Sequence, residues 1–463
     1  MLLPVAVLSP NALLLLALAA IVALVLLIAR FKCNAIVALT LMSMLLGLCA
    51  GMAPLDVANS FQEGVAKTLG ALAMIIGLGT MLGKMLGESG AAHVIAERIT
   101  AIFGRERLDY AIMLAAFIIG VSVFFQVGVL LLGPIVFALA RETRTPILRL
   151  GLPLAAGMST AHGLIPPHPG PMAAITLLGA DVGKTIAWSL LVVGPPVALV
   201  TGPFLARWVT PRVPVEIGGL GAVASAEPSA TKRPTFGVSI FTMLLPVLLM
   251  LFATLITICW PKEKFGPGIW QADVRNWADF FGNPTVAMLA AVLVSFWTFG
   301  SRCGLGADRI LKFADACLAP AASVLLVIAA GGGFSRVLND SGIAKALATV
   351  GEGMHLSPLL LGWLIAGMLR VSVGSATVSV TTAAGIMLPI VKADPTINRE
   401  LLVLAMGAGS LILSHVNDSG FWLVKEYFGM DIPQTLKTWT VVETGIAIMS
   451  IAIILLVNAF LPT

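Results

Sequence analysis

Long apolar runs constrain this chain more than any other feature of its sequence. Residues 12–29 and 440–460 each have the length and composition of a membrane-spanning helix. Of the 463 residues, 58% are hydrophobic and 11% are charged, whereas an ordinary soluble domain carries about 25% charged residues. The sequence therefore predicts an all-α polytopic membrane protein, which has the lipid bilayer as its surroundings.

The net charge of +5 is carried by basic residues that lie between the predicted spans and do not form one patch. Such a distribution reports the orientation of loops in a membrane. We therefore expect no nucleic-acid partner. The first apolar run lacks a preceding basic segment, so we expect a retained first span and not a cleaved signal peptide.

A polar segment at 210–235, "TPRVPVEIGGLGAVASAEPSATKRPT", reads as a linker between residues 1–209 and 236–463. The two halves resemble each other. "GTMLGKMLGESGAA" (79–92) aligns with "GGGFSRVLNDSGIA" (331–344), which places Lys84 over Arg336 and Glu88 over Asp340; His162 falls over His415 at nearly the same offset. Repeats in a polytopic protein predict a transporter built from two related halves, with its site between them.

Each half has the same predicted order of segments, with five crossings and one re-entrant hairpin. An odd number of crossings makes the second repeat inverted relative to the first. The crossings are 11–29, 33–51, 69–87, 148–178 and 187–206 in the first half, and 237–259, 284–300, 319–338, 400–428 and 438–460 in the second. The hairpins are 109–141, interrupted at 122–128, and 356–391, interrupted at "GSATVS" (374–379). The spans 148–178 and 400–428 are broken helices, interrupted at "GLIPPHPGP" (163–171) and "HVNDSG" (415–420).

Charge tests this topology. With re-entrant hairpins, more than half of the 28 Lys and Arg residues fall on one face, which the positive-inside rule assigns to the cytoplasm. Both termini are then predicted on the opposite, periplasmic side. Hairpins that crossed completely would place the arginines flanking 109–141 on both faces.

The four interruptions predict a binding site. Backbone that leaves a helix within a bilayer must face protein or a water-filled cavity, and the N-terminus of a half-helix can hold an anion. In "GLIPPHPGP" the prolines end one half-helix, and Gly170 is predicted to let the backbone approach a ligand closely.

Polar side chains at these interruptions suit a small hydroxylated or carboxylated solute. Each also has a structural interpretation: a buried hydroxyl can bond its own backbone, a histidine can cap a helix or bridge two helices, and Asp418 can cap the half-helix after it. An acid at membrane depth is nevertheless a functional candidate. The candidates are His162, His168, Ser375, Thr377, His415, Asn417 and Asp418.

Three basic residues fall within predicted apolar segments and are candidates for coupling or charge pairing. Lys84 and Arg336 lie near the ends of spans, where snorkelling to the interface is the alternative. Arg370 lies five residues before Ser375, where it can neutralise the substrate or an acidic partner.

Three motifs together resemble the gluconate permease family, in particular its sugar-acid branch. They are "HGLIPPHPGP" (162–171), "GSATVSVTTAAGI" (374–386) and "SHVNDSGFWLVKEYFG" (414–429), and the resemblance covers essentially the whole chain. It implies two inverted repeats, elevator-type movement, a homodimer in the bacterial inner membrane, and proton-coupled uptake of a sugar acid such as D-gluconate. By motif, it assigns the site to His168, Ser375, Thr377, His415, Asn417 and Asp418.

Gln126, in "FFQVG" (124–128), departs from the family pattern, because the resemblance implies Glu or Asp here. A carboxylate in a desolvated site could carry a proton together with the substrate, whereas glutamine cannot titrate. Three alternatives stay open: Asp418 or a histidine couples transport to protons, the protein is uncoupled, or the residue has been substituted to trap one state.

Proton-coupled transport has three alternatives. A sodium-coupled version of the transporter stays open, because carbonyl-rich breaks also suit Na⁺. A passive channel is a better rival than an enzyme, and Gln126 favours it because glutamine cannot titrate. An intramembrane hydrolase with a metal is disfavoured because no HExxH motif is present and the histidines follow the repeat instead of ligand spacing. We therefore expect no enzyme activity, no catalytic residues, no metal and no cofactor.

Overall fold

The computed structural model describes residues 9–29, 31, 33–215, 230–260, 270–316, 318–343, 357–415 and 418–461. Within these ranges the secondary structure is helical. The helices are α1 (Pro10–Ala29), α2 (Ala35–Cys49), α3 (Pro54–Glu88), α4 (Ala91–Phe103), α5 (Leu108–Gly120), α6 (Phe125–Thr143), α7 (Ile147–Leu164), α8 (Pro169–Leu178), α9 (Val182–Arg212), α10 (Phe236–Cys259), α11 (Trp270–Gly282), α12 (Pro284–Cys303), α13 (Ala307–Ala316), α14 (Leu318–Asp340), α15 (Pro358–Val373), α16 (Ala376–Ala393), α17 (Arg399–Gly409), α18 (Ser419–Phe428) and α19 (Ile432–Phe460).

Seven of the described helices are long and apolar enough to cross a membrane: α3, α6, α9, α10, α12, α16 and α19. The apolar runs therefore predicted the main helices well. The structure adds three short helices that the hydrophobic runs did not predict, α4, α11 and α13. α3 also begins at Pro54, well before the predicted span at 69–87. Its first turns contain polar residues, so hydrophobicity did not mark them as part of the helix.

The equivalent helices α3 and α14 pack closely against each other. A Cβ atom added to Gly64 would lie 2.5 Å from the carbonyl oxygen of Gly332, so this crossing depends on the small residues that allow two membrane helices to approach. The repeat alignment matches two ion pairs on these helices. Lys84 Nζ lies 2.7 Å from Glu88 Oε1, and Arg336 Nε lies 2.7 Å from Asp340 Oδ2.

The first hairpin is α5–α6 and the second is α15–α16; in each, the two helices pack together. The broken helices are α7–α8 and α17–α18. The hairpin of each half packs against the broken helix of the other half. α16 packs on α8, and the ring of Phe137 on α6 stacks on Phe428 of α18 with 5.7 Å between the ring centroids. The elements that carry the breaks therefore form one packed unit.

The breaks are shorter or shifted relative to the prediction. The first hairpin breaks only at 121–124, so Gln126 lies in the first turn of α6, and α16 resumes directly after Ser375. α7 and α8 are separated at 165–168, inside the predicted motif. α17 ends at Gly409, earlier than "HVNDSG" predicted. Val416 and the predicted site residue Asn417 lie outside the described residues, as does the start of the predicted hairpin at 356.

Candidate functional site

A central cavity of about 110 Å³ lies where both hairpin tips meet α7, the second broken helix and α19. Both halves of the chain contribute residues to its wall. The lining residues are Phe125, Gln126, Ser159, His162, Arg370, Gly374, Ser375, Ala376, Thr377, Leu411, Asp418, Ser419, Gly420, Trp439 and Glu443.

Three helix N-termini border the central cavity: those of α6, α16 and α18. Ser375 is the N-cap of α16, where its side chain accepts a hydrogen bond from Val378 N. Gln126 and Thr377 occupy the same position, the second residue, in α6 and α16. The positive ends of three helix dipoles therefore point towards one small space, which favours an anionic ligand.

Arg370 and Asp418 form a buried ion pair in the cavity wall. Their side chains are 4% and 8% exposed, and Arg370 Nη2 donates to Asp418 Oδ2. Arg370 Nη1 also donates to the Gly374 carbonyl oxygen at 2.6 Å. The acidic partner that the sequence left open for Arg370 is therefore Asp418, and the pair joins the second hairpin to the second broken helix.

Asp418 caps a helix and also lines the cavity. It is the N-cap of α18, with Gly420 N donating to Oδ1 at 2.9 Å. Its Oδ2 accepts from both Arg370 and the Ser414 hydroxyl, while Trp439 Nε1 donates to Ser414 Oγ at 2.7 Å. Three donors thus hold this carboxylate in place at the cavity wall.

Glu443 is a cavity residue that the sequence analysis missed. It lies on α19 with 1% of its surface exposed, and the Ser159 hydroxyl of α7 donates to its Oε1. The signal was present, since Glu443 is the only charged residue in 440–460 and an acid inside a span is a functional candidate. Glu443 lies on an uninterrupted helix, whereas the predicted site rests on the interrupted segments.

The predicted histidines occupy three different environments. His162 lines the cavity, and its ring centroid lies 4.8 Å from that of His168. His168 is not among the lining residues; its Nε2 bonds the carbonyl oxygen of Gly120 at the end of α5. His415 Nε2 lies 2.9 Å from the Val371 carbonyl oxygen, also away from the lining. His168 and His415 therefore connect a broken helix to a hairpin in this structure.

Gly170 lies against the second hairpin and not at the cavity. A Cβ atom there would meet Val380 and Thr377 at 3.7 and 3.8 Å, which are ordinary contact distances. The predicted close approach of a ligand at Gly170 is therefore replaced by helix packing of α8 on α16.

Lys84 and Arg336 are not part of the central cavity. Lys84 pairs with Glu88 and lies over the Phe313 ring. Arg336 pairs with Asp340 and with Glu63, whose Oε2 is 3.1 Å from Nη2. Each cation has an acidic partner one helical turn away and lies outside the cavity lining. The coupling role suggested for Lys84 and Arg336 therefore stays a prediction, and the position of the cavity does not favour it.

Comparison with known proteins decides the family. The GntP family permease model matches residues 12–460. This chain belongs to that family. It is 43% identical to a gluconate permease of Pseudomonas aeruginosa, over 96% of this chain and 97% of the relative. It is 41% identical to the high-affinity gluconate transporter of Escherichia coli, over 95% of this chain and 97% of the relative.

The fold also has a solved counterpart. The chain is similar to the Alcanivorax borkumensis YdaH transporter, described as having an unusual topology, with a TM-score of 0.64 and 16% identity over 92% of this chain and 98% of that one. Membership of the permease family confirms the prediction of a multi-pass membrane protein that transports its ligand and is not an enzyme.

Proposed function

We propose that the protein is a secondary transporter that imports a small sugar acid, such as D-gluconate, together with protons across the bacterial inner membrane. Relatives that match over nearly the whole chain are a gluconate permease and a gluconate transporter. A monocarboxylate that carries several hydroxyl groups also fits the chemistry of the central cavity.

The convergence of three helix N-termini on the central cavity carries this proposal. The substrate carboxylate binds at these positive helix ends, and its hydroxyls bond Ser375 and Thr377. A cavity of about 110 Å³ is far below the roughly 300–1,000 Å³ of pockets for drug-sized ligands. The substrate is therefore a small organic anion that fills the space between the hairpin tips.

The two repeats are inverted, and their hairpins are re-entrant. α5 has 13 residues and is therefore about 20 Å long, shorter than the roughly 30 Å hydrocarbon core of a bilayer. Arg105 before α5 lies 2.8 Å from Glu142 at the end of α6, so the chain returns to the level at which the hairpin began. The same pattern of ion pairs on α3 and α14 supports the repeat.

Movement is of the elevator type, in a homodimer with both termini in the periplasm. The hairpins and broken helices pack on one another across the two halves, so they can carry the closed site as one body. The excess of Lys and Arg on one face supports the orientation.

Sodium coupling and uncoupled passage remain the alternatives. Sodium ions that stimulate uptake at constant pH would favour a sodium-coupled carrier. Equilibration of substrate without accumulation would favour an uncoupled carrier or a channel. Gln126 is consistent with that alternative because glutamine cannot titrate.

The test is uptake of labelled D-gluconate into liposomes containing the purified chain, with and without an inward proton gradient. We expect accumulation above the external concentration only when the gradient is present. Gln126→Glu is measured in parallel. If only Gln126→Glu accumulates substrate while both bind it, position 126 carries the proton and the present chain is uncoupled. If neither binds gluconate, the substrate assignment is wrong.

A further inference from the structure

A buried carboxyl group on α19 has no role in the site described so far. Glu443 lines the central cavity, and its hydrogen bond from the Ser159 hydroxyl joins α19 to α7. Its second oxygen has no hydrogen bond to any side chain or backbone group in the described parts of the chain. A buried ionised carboxylate with a single hydroxyl donor is costly, so the environment of Glu443 favours a proton on it.

We propose that Glu443 carries the coupled proton: its carboxyl group is protonated while the anionic substrate occupies the cavity, and it releases the proton after the substrate leaves. This inference rests on the proposed sugar-acid transport. The proton moves from water to a carboxylate oxygen of Glu443 and back to water on the other side, so no other reactant is needed.

Asp418 is the other acid in the cavity wall, but its hydrogen bonds suit a permanent charge. Its oxygens accept hydrogen bonds from the Arg370 guanidinium, the Ser414 hydroxyl and the backbone N–H of Gly420. Three donors, one of them a guanidinium, stabilise the ionised form. Protonation of Asp418 would break the ion pair and weaken the cap of α18, whereas protonation of Glu443 breaks neither.

The charges in the cavity couple substrate binding to the protonation of Glu443. With Glu443 ionised, the lining contains two carboxylates and one guanidinium, so a monocarboxylate would bring the cavity to two net negative charges. With Glu443 protonated, the same substrate leaves one net negative charge. Binding of the anion therefore favours uptake of one proton, and by linkage the proton favours binding of the anion. One proton per monocarboxylate makes the transported unit electrically neutral.

α19 packs against α7, α9, α15, α17 and α18, and its Trp439 contacts Phe125 of α6. α7 contributes His162, α15 contributes Arg370 and the start of α18 contributes Asp418. The charged residues of α9 and α17 lie near the ends of those helices and are not in the cavity lining. Glu443 and Arg370 line the same cavity. An incoming carboxylate would also approach Arg370, so the two anions compete for it unless Glu443 is neutral.

The location also accounts for Gln126. Gln126 and Glu443 line the same cavity, from the first hairpin and from α19. Glu443 therefore offers this cavity a titratable acid although position 126, where the family resemblance implies one, carries glutamine.

The test measures gluconate binding to the purified full chain between pH 5.5 and 8.5, together with the protons taken up on binding. For one linked proton we expect the affinity of the wild-type protein to fall about tenfold per pH unit once Glu443 ionises, with one proton taken up per gluconate. Glu443→Gln should bind with no pH dependence, tightest relative to wild type at high pH, and should take up no proton. It should also lose accumulation driven by a proton gradient.

Glu426→Gln is the matched control, because it removes an exposed carboxylate paired with Lys425 on the neighbouring helix; its pH profile should follow that of the wild type. If Glu443→Gln does not fold, Ser159→Ala tests the same group, since loss of the hydroxyl donor should move the pH profile to higher pH. Wild-type-like pH dependence in Glu443→Gln would overturn the proposal. Failure of the wild-type protein to bind gluconate at any pH would overturn the proposed function as well.

Discussion

Arg370 donates a hydrogen bond to Asp418, and this buried ion pair ties the tip region of the second hairpin to the start of α18. The same arginine bonds the Gly374 carbonyl oxygen at 2.6 Å, where α15 ends. One guanidinium thus fixes two of the breaks that border the central cavity.

Removing one member of this pair should destabilise the protein strongly. Arg370→Ala leaves the Asp418 carboxylate buried without its guanidinium, and such single removals cost about 3–5 kcal/mol. Thermal unfolding in detergent measures the loss. The double variant Arg370→Met with Asp418→Leu should recover much of the stability, because neither charge then remains, but should not transport gluconate. Equal instability of the single and double variants would contradict the ion-pair interpretation.

Close packing between α6 and α18 makes a second prediction about stability. A Cβ atom on Gly133 would lie 2.2 Å from the ring of Tyr427, which α18 contributes. Gly133→Ala should therefore cost about 1–3 kcal/mol through overpacking. Gly70→Ala on α3 is the control, since no atom lies within 4 Å of a Cβ there, and it should stabilise by about 0.5–1 kcal/mol. The thermal unfolding midpoints of the two variants test this prediction. Similar shifts of the two midpoints would show that the Tyr427 ring moves aside at little cost.

The order of helices was predictable because spanning helices need long apolar runs, and these runs are visible in the sequence. The ends of the breaks were less predictable, because they depend on single caps. Ser375 accepts from Val378 N and Asp418 accepts from Gly420 N, so each half-helix resumes directly after its polar residue. Conversely, α17 ends at Gly409 although three apolar residues follow at 411–413, and hydrophobicity alone could not reveal this end.

The site was predictable where the breaks converge and unpredictable where a side chain arrives from elsewhere. Ser375, Thr377 and Asp418 line the cavity as expected, because they begin the half-helices that point into it. Glu443 comes from an uninterrupted helix, and Lys84 takes part in a local ion pair. Sequence spacing does not contain these tertiary contacts.

Lys84 offers a direct test of the coupling role that its sequence position suggested. Its partner Glu88 is one helical turn away, and the lysine side chain is 39% exposed, so the pair contributes at most about 1 kcal/mol. Lys84→Ala should therefore keep gluconate uptake in liposomes close to the wild-type rate, with little change in thermal stability. A well-folded variant without uptake would return Lys84 to the transport site.

The partly buried imidazole of His93 should make the protein less stable in acid. It lies on α4, which is too short to span the bilayer, and burial together with the nearby Arg233 lowers the pKa of its imidazole, partly opposed by Glu97. In the unfolded chain this imidazole has its ordinary pKa of 6.5, so the unfolded chain binds more protons than the folded chain. The contribution of neutral His93 to the free energy of unfolding is therefore complete above pH 6.5 and is lost as the pH falls below it. His93→Gln should reduce the loss of thermal stability between pH 7.5 and 5.5. Parallel stability profiles for the two proteins would contradict this.

Thr377→Val and His168→Ala should separate contact with the substrate from support of the site. Thr377 lines the cavity, whereas His168 lies behind it and bonds the Gly120 carbonyl oxygen. Thr377→Val keeps the shape of the side chain and removes its hydroxyl, so it should weaken gluconate binding by roughly 1 kcal/mol, the usual value of one hydrogen bond, at unchanged thermal stability. His168→Ala should mainly lower thermal stability, because the first hairpin loses its link to the first broken helix. Calorimetric binding and thermal unfolding are measured for both. Normal stability with lost binding in His168→Ala would instead place that imidazole in contact with the substrate.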